Sequence, residues 1–216
     1  MHALVRVSAA LVAGLVFVAS CGGSGGKTTN STTTTAAGAT VPATTTAATE
    51  ADASAYCTSK GGTVQTRDAM WGTNGAQAQW ESLGRSTAMC RFQTLHDNAN
   101  SRIYVDLTTL FTQSPTLASV AYLSKVPPKP TVAGNPATIY CAALGGSSEF
   151  GTGAAGGGWV NKDDPDDTVV ALCVFPDGSF IDEWGLTYYA GGVVRGIDLS
   201  KAFRYQPAQV PSFFTS

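Results

Sequence analysis

NPATIYCAALGG, residues 135–146, decides the fold of this chain because it has an echo at residues 51–62, ADASAYCTSKGG. Both stretches place a Tyr directly before a Cys (Tyr56-Cys57 and Tyr140-Cys141) and a glycine pair four residues after that Cys (Gly61-Gly62 and Gly145-Gly146). A second Cys follows 33 residues later in the first copy, Cys90, and 32 residues later in the second, Cys173. Each is followed two positions on by a Phe, Phe92 and Phe175. Tyr supplies only 7 of 216 residues, so matches at fixed offsets argue for an internal duplication of about 70 to 80 residues per copy.

Each phrase reads as a short helix. Asn135 suits the N-cap, Pro136 the first turn where no N–H is needed, and Gly145 the left-handed residue that ends the helix. In the first copy Asp52 is the expected cap and Gly61 the stop. After Cys173 the run Thr168–Phe175, the turn Pro176-Asp177-Gly178 and the run Ser179–Trp184 read as a β-hairpin. The first copy offers Ser86–Gln93, a polar loop through Asn100, and Arg102–Leu107. A helix over Pro115–Lys125 is expected to end before Pro127-Pro128. The fold class is therefore α+β: two tandem small modules, each a short helix plus an antiparallel hairpin, at residues 55–130 and 131–216.

Four cysteines allow three pairings. A unit that was copied must first have been viable alone, and modules this small rarely hold enough core without a staple. The pairs Cys57–Cys90 and Cys141–Cys173 are expected on that ground, with Tyr56 and Tyr140 packed against Phe92 and Phe175. A cross-pairing would instead make one interleaved domain.

YCAALGG, CVFPDGS and DEW together resemble a small bacterial family, domain of unknown function 333, whose members often carry a haemolysin label and are frequently envelope lipoproteins. The resemblance runs from about Asn135 to Trp184; the first copy keeps only YC, KGG and CRF and looks like a diverged relative. Family members usually carry one Cys soon after the DGS turn and another near the domain end. Here Ile181 stands at the first of those places and no Cys follows.

The N-terminus bears on location. Residues 1–20 combine Arg6 with an apolar run, Val7–Ala19, too short to span a bilayer, which reads as a signal peptide. Val18-Ala19-Ser20-Cys21 resembles the bacterial lipobox, which implies a diacylglycerol on Cys21 and often a further acyl chain; two or more chains anchor stably. Residues 21–54 are then the lipidated Cys and a Thr/Ala/Gly-rich linker with too few large apolar residues to fold. That implies a membrane-anchored lipoprotein of the bacterial cell envelope, in an oxidising compartment where disulfides persist.

Catalytic motifs fail on context. Gly151, Gly153 and Gly156 spell a dinucleotide fingerprint, but no helix can start within that glycine-rich run. Gly22-Gly23-Ser24-Gly25-Gly26 spells a nucleophile elbow inside the tether. His96 has Asp97 beside it but no nucleophile. The acidic residues Asp163, Asp164, Asp166 and Asp167 lack the ligand order of a calcium loop, and no zinc-ligand spacing occurs. No cofactor and no metal are expected. The net charge of −2 and the absence of a basic cluster argue against nucleic acid. Trp71, Trp80 and Trp159 read as lids over a small core, and Trp184 as core. The functional expectation is a non-catalytic binding module reaching an envelope protein or glycan partner, with the membrane engaged through the lipid. An envelope hydrolase using His96 and a loop carboxylate, and a membrane-damaging haemolysin, are the alternatives.

Overall fold

A computed structural model describes residues 49–96, 99–129, 133–150, 156–161 and 169–209. Cys21, both rejected glycine motifs apart from Gly156, and the acidic residues 163–167 lie outside the described residues.

The architecture is α+β, with one antiparallel sheet and two disulfides. Helix α1 spans Glu50–Ser59. Its N-cap is Thr49 rather than Asp52: the Thr49 hydroxyl accepts from the Asp52 N–H and the Asp52 carboxylate accepts from Thr49, a capping box with Asp at the third helical position. Strand β1 (Thr63–Trp71) pairs with β2 (Glu81–His96), which pairs with β3 (Ala99–Asp106). The polar loop expected between β2 and β3 is mostly ladder, with His96 opposite Ala99. Helix α2 (Leu107–Phe111) follows, capped by Asp106, whose carboxylate accepts from the N–H groups of Thr108 and Thr109. Helix α3 is Leu117–Ser124, capped by Thr116.

The second phrase folds as read. Asn135 caps α4 (Pro136–Ala143) by accepting from the Ala137 N–H, with Pro136 in the first turn. Then come β4 (Ser147–Ser148), β5 (Gly158–Val160), β6 (Leu172–Val174), β7 (Phe180–Asp182) and helix α5 (Glu183–Ala190). The hairpin's second strand stops two residues earlier than expected. Asp182 accepts from the N–H groups of Trp184 and Gly185 and so starts a helix where the sequence suggested continued strand.

The strand order is β4-β6-β7-β3-β2-β1-β5. Its middle is the pairing of β3 with β7, Val105 opposite Ile181, so one sheet runs through both repeated stretches. Strand β5 pairs with β1 (Ala69 opposite Trp159) and also reaches Val170, just before β6, through a reciprocal pair of backbone hydrogen bonds between Trp159 and Val170. Alternation along the strands separates two faces. Cys90, Phe92, Ile103, Val105, Cys173 and Ile181 face the helices and form the larger core with Leu110, Tyr122, Tyr140, Leu186 and Phe203. The other face buries Ala69, Met89, Tyr104, Trp159 and Leu172, with the fully buried Arg67 among them. Arg67 donates from Nε and Nη2 to the Trp159 carbonyl and from Nη1 to Gln65 Oε1, while its guanidinium lies 4.8 Å from the Tyr104 ring centroid.

Candidate functional site

The repeated phrase builds two matching corners. Cys57–Cys90 and Cys141–Cys173 are bonded, with Cα separations of 5.8 and 5.5 Å, inside the range a disulfide accepts. The first glycine of each pair is left-handed, Gly61 at φ 82° and Gly145 at φ 80°, as a helix C-terminus requires. The second glycine has a reason the sequence did not disclose: a Cβ on Gly62 would lie 2.4 Å from Cys90 Sγ, and one on Gly146 would lie 2.5 Å from Cys173 Sγ. Both glycines also donate to the carbonyl of the first Cys, at 3.0 Å in each corner. The corner is closed backbone around a buried bridge and leaves no room for a ligand.

The tyrosines do not reach equivalent partners. Tyr56 meets Phe111 edge-on, with ring centroids 5.5 Å apart, and donates to the Ala202 carbonyl; Tyr140 donates to the Val126 carbonyl. Burial pushes the Tyr140 hydroxyl up to about 12.

The arrangement suited to a ligand lies where α4, β4 and the start of α5 meet. A cleft of about 230 Å³ is lined by Asn135, Thr138, Ser148, Glu149, Glu183 and Trp184, together with Thr73, Asn74 and the glycine backbone at 156–157. Asn135 and Thr138 arrive on the first turn of α4, and Glu183 and Trp184 on the first turn of α5. Glu183 is fully buried. Its Oε2 accepts from the Thr138 hydroxyl at 3.2 Å, and its Oε1 has no hydrogen-bond partner. Burial raises the Glu183 pKa and the neighbouring Asp182 carboxylate adds to the rise, against the stabilising hydroxyls of Ser148 and Thr138; Ser148 eases the charge without satisfying Oε1. Glu149 is already committed: Arg85 holds its Oε1 at 2.7 Å and the Trp159 indole N–H donates to its Oε2 at 3.0 Å.

On the other side of Trp184 a cleft of about 180 Å³ is lined by Arg102, Tyr104, Asp182 and Arg195. Asp182 is buried and its pKa rises to about 6; desolvation is the largest cause, opposed by the α5 N–H groups and by Arg195 and Arg67. A larger cleft of about 600 Å³ lies between α1, β2 and α2; of its two carboxylates Glu50 is exposed, and Asp106 already accepts from Thr108 and from the backbone and hydroxyl of Thr109.

The sequence-level candidates scatter. The backbone of His96 sits at the end of β2, opposite Ala99 of β3. Trp159 is buried as a core residue, Trp71 is 40% exposed, and Trp184 is only partly buried, a cleft wall rather than core. Glu183 was missed because DEW was read as the end of a strand. Its signal was a carboxylate one residue after a helix-capping Asp. Among the described residues no group of three His, Cys, Asp or Glu side chains could hold a metal ion.

One segment of the chain matches a family model. Residues 133–190 match the model of the domain of unknown function DUF333. The DUF333 match begins just before α4 and ends with α5, so it takes in the Cys141–Cys173 bridge and the residues 135, 138, 148, 149, 183 and 184 of the polar cleft. No curated protein and no solved structure matches the chain.

Proposed function

We propose that this chain is a lipid-anchored protein of the bacterial envelope, acting by binding rather than catalysis. Residues 1–20 are its signal peptide, Cys21 carries the lipid, and residues 21–54 tether two tandem modules, 55–130 and 131–216, that arose by duplication. The DUF333 match covers most of the second module, while the first keeps the Tyr-Cys, Gly-Gly corner and its bridge. One observation carries the binding reading: a buried carboxylate with a vacant acceptor stands in the wall of a polar cleft. Buried polar atoms are nearly always paired, and an exception marks a place where function is at stake.

A hydrolase remains the second reading, with different residues from those the sequence nominated. Glu183, with its raised pKa, and Glu149, paired with Arg85, line the same cleft, and two carboxylates in unlike surroundings are the pattern of glycoside hydrolysis. Against it, Glu149 has both oxygens engaged. The haemolysin label gains no support: no helix among the described residues is long and apolar enough to cross a membrane.

Fractionation and capture test the proposal. Cys21→Ala should move the protein out of the membrane fraction or leave an uncleaved precursor. Wild-type protein solubilised in detergent should retain an envelope component that the variant Glu183→Gln loses. An equally processed, equally membrane-bound Cys21→Ala chain refutes the anchor, and retention unaffected by Glu183→Gln refutes the cleft.

A further inference from the structure

We infer that the cleft between α4, β4 and α5 is a binding site for a single neutral sugar ring, such as one residue of an envelope glycan. The inference rests on the binding reading above and adds the ligand class.

The lining selects the chemistry. Among the described residues no Lys or Arg lines the cleft, so an anion finds no counter-charge from them. The charge of Glu149 is matched by Arg85 at 2.7 Å, which leaves Glu183 as the one unmatched carboxyl in the wall among the described residues. Around it stand groups that both donate and accept: the amide of Asn135 and the hydroxyls of Thr138 and Ser148. A ligand that carries several hydroxyls on a compact ring meets such a set of partners. An ammonium ion would use the acceptors and leave the donors idle. Trp184 supplies the apolar face on which a ring's C–H groups can lie; its indole is itself braced by Tyr188, with centroids 5.7 Å apart. The volume of about 230 Å³ is smaller than the roughly 300 Å³ at which drug-sized pockets begin, so it fits one ring and not a disaccharide.

Glu183 gives the site its selectivity. A hydroxyl donated to Oε1 fills the one acceptor that the fold leaves vacant, while Thr138 goes on donating to Oε2. Oε1 is buried, so the ligand reaches it as the Ser148 hydroxyl beside the carboxylate turns aside, a rotation that costs little for so short a side chain. Water is the competing occupant, since a polar space of this size holds several molecules. A sugar displaces them with a preformed set of hydroxyls, and so gains most when it reproduces their hydrogen bonds.

The test uses the full chain in mild detergent with methyl glycosides of glucose, galactose, mannose and N-acetylglucosamine, and with ethanolamine as the cationic arm. Saturation-transfer NMR and the change in tryptophan fluorescence that Trp184→Phe removes report binding. At least one glycoside should bind saturably, ethanolamine should not, and Glu183→Gln should weaken binding by about fivefold or more, the loss expected when a charged acceptor becomes a neutral amide. Ser148→Ala, a milder change that guards against misfolding of the first variant, should weaken it by about threefold or more. Ethanolamine binding in place of the sugars, or sugar binding that ignores both variants, overturns the inference. If no glycoside binds while an envelope component is still captured in a manner that depends on Glu183, the ligand class is wrong and the binding reading survives. Cleavage of nitrophenyl glycosides, abolished by Glu183→Gln, would uphold the sugar and overturn the non-catalytic role.

Discussion

Gly145 and Gly146 are neighbours that should fail for different physical reasons when each is changed to Ala. At Gly145 a Cβ meets nothing within 4 Å, so only the positive φ of 80° is penalised, at about 1 kcal/mol. At Gly146 the Cβ would sit 2.5 Å from Cys173 Sγ and 2.9 Å from Cys141 Sγ, well inside carbon–sulfur contact. Overpacking of that kind costs about 1–3 kcal/mol, and the bridge cannot move far because both half-cystines are fully buried. The discriminating measurement is a double-mutant cycle against Cys141→Ala/Cys173→Ala, read by urea unfolding followed by circular dichroism. Without the sulfur atoms the nearest remaining contact is the Cys141 carbonyl at 3.3 Å, so the Gly146→Ala penalty should fall to a few tenths of a kcal/mol. The Gly145→Ala penalty should stay at about 1 kcal/mol in both backgrounds, because φ does not depend on the bridge. Removing the bridge alone should cost about 3–4 kcal/mol for a loop closed across 32 residues. A Gly146→Ala penalty of equal size with and without the bridge would refute the account of the glycine pair.

Three further outcomes are expected. Asp182 binds its proton more tightly folded than unfolded, with a native pKa of about 6, so its contribution is complete below about pH 4 and is lost as the pH rises through 6; Asp182→Asn, which keeps an oxygen for the α5 N–H groups, should remove up to about 2–3 kcal/mol of that fall in a pH series of urea melts. An undiminished slope would place the titration elsewhere. Asn135→Ala should cost about 1 kcal/mol, because the Ala137 N–H loses its acceptor, while thermal unfolding stays a single transition; a neutral result would mean the cap is idle. His96→Ala should leave ligand capture within a few fold, whereas a hundredfold loss in a folded protein would restore His96 as an acid–base group.

What the sequence made legible was local. Asn135, Pro136 and Gly145 announce α4 because caps and left-handed glycines act within one turn, and the structure places each as read. The two bridges followed from the spacing of the copies. Strand β1 was passed over because its inward positions are the polar Gln65 and Arg67 and the small Ala69, a set that hides the alternation an apolar face would display. Only tertiary partners such as the Trp159 carbonyl and Tyr104 make Arg67 tolerable there. The meeting of β3 with β7 rests on a register set by packing, and no short motif encodes it. The cleft was illegible for the same reason: Thr138 and Glu183 are 45 residues apart and meet because two helices start side by side.

The complete burial of all four paired cysteines has a consequence for when the two bridges can form and break. Thiol–disulfide exchange needs an attacking thiolate to approach one sulfur along the bond, and the folded chain shows it none. Oxidation must therefore happen while the chain is still open, and the folded protein cannot have its bridges reshuffled afterwards. Reductants in the surroundings act only on molecules that have already opened, so the rate at which thiols become titratable is a clock for unfolding itself. Once closed, each bridge lasts as long as the fold around it.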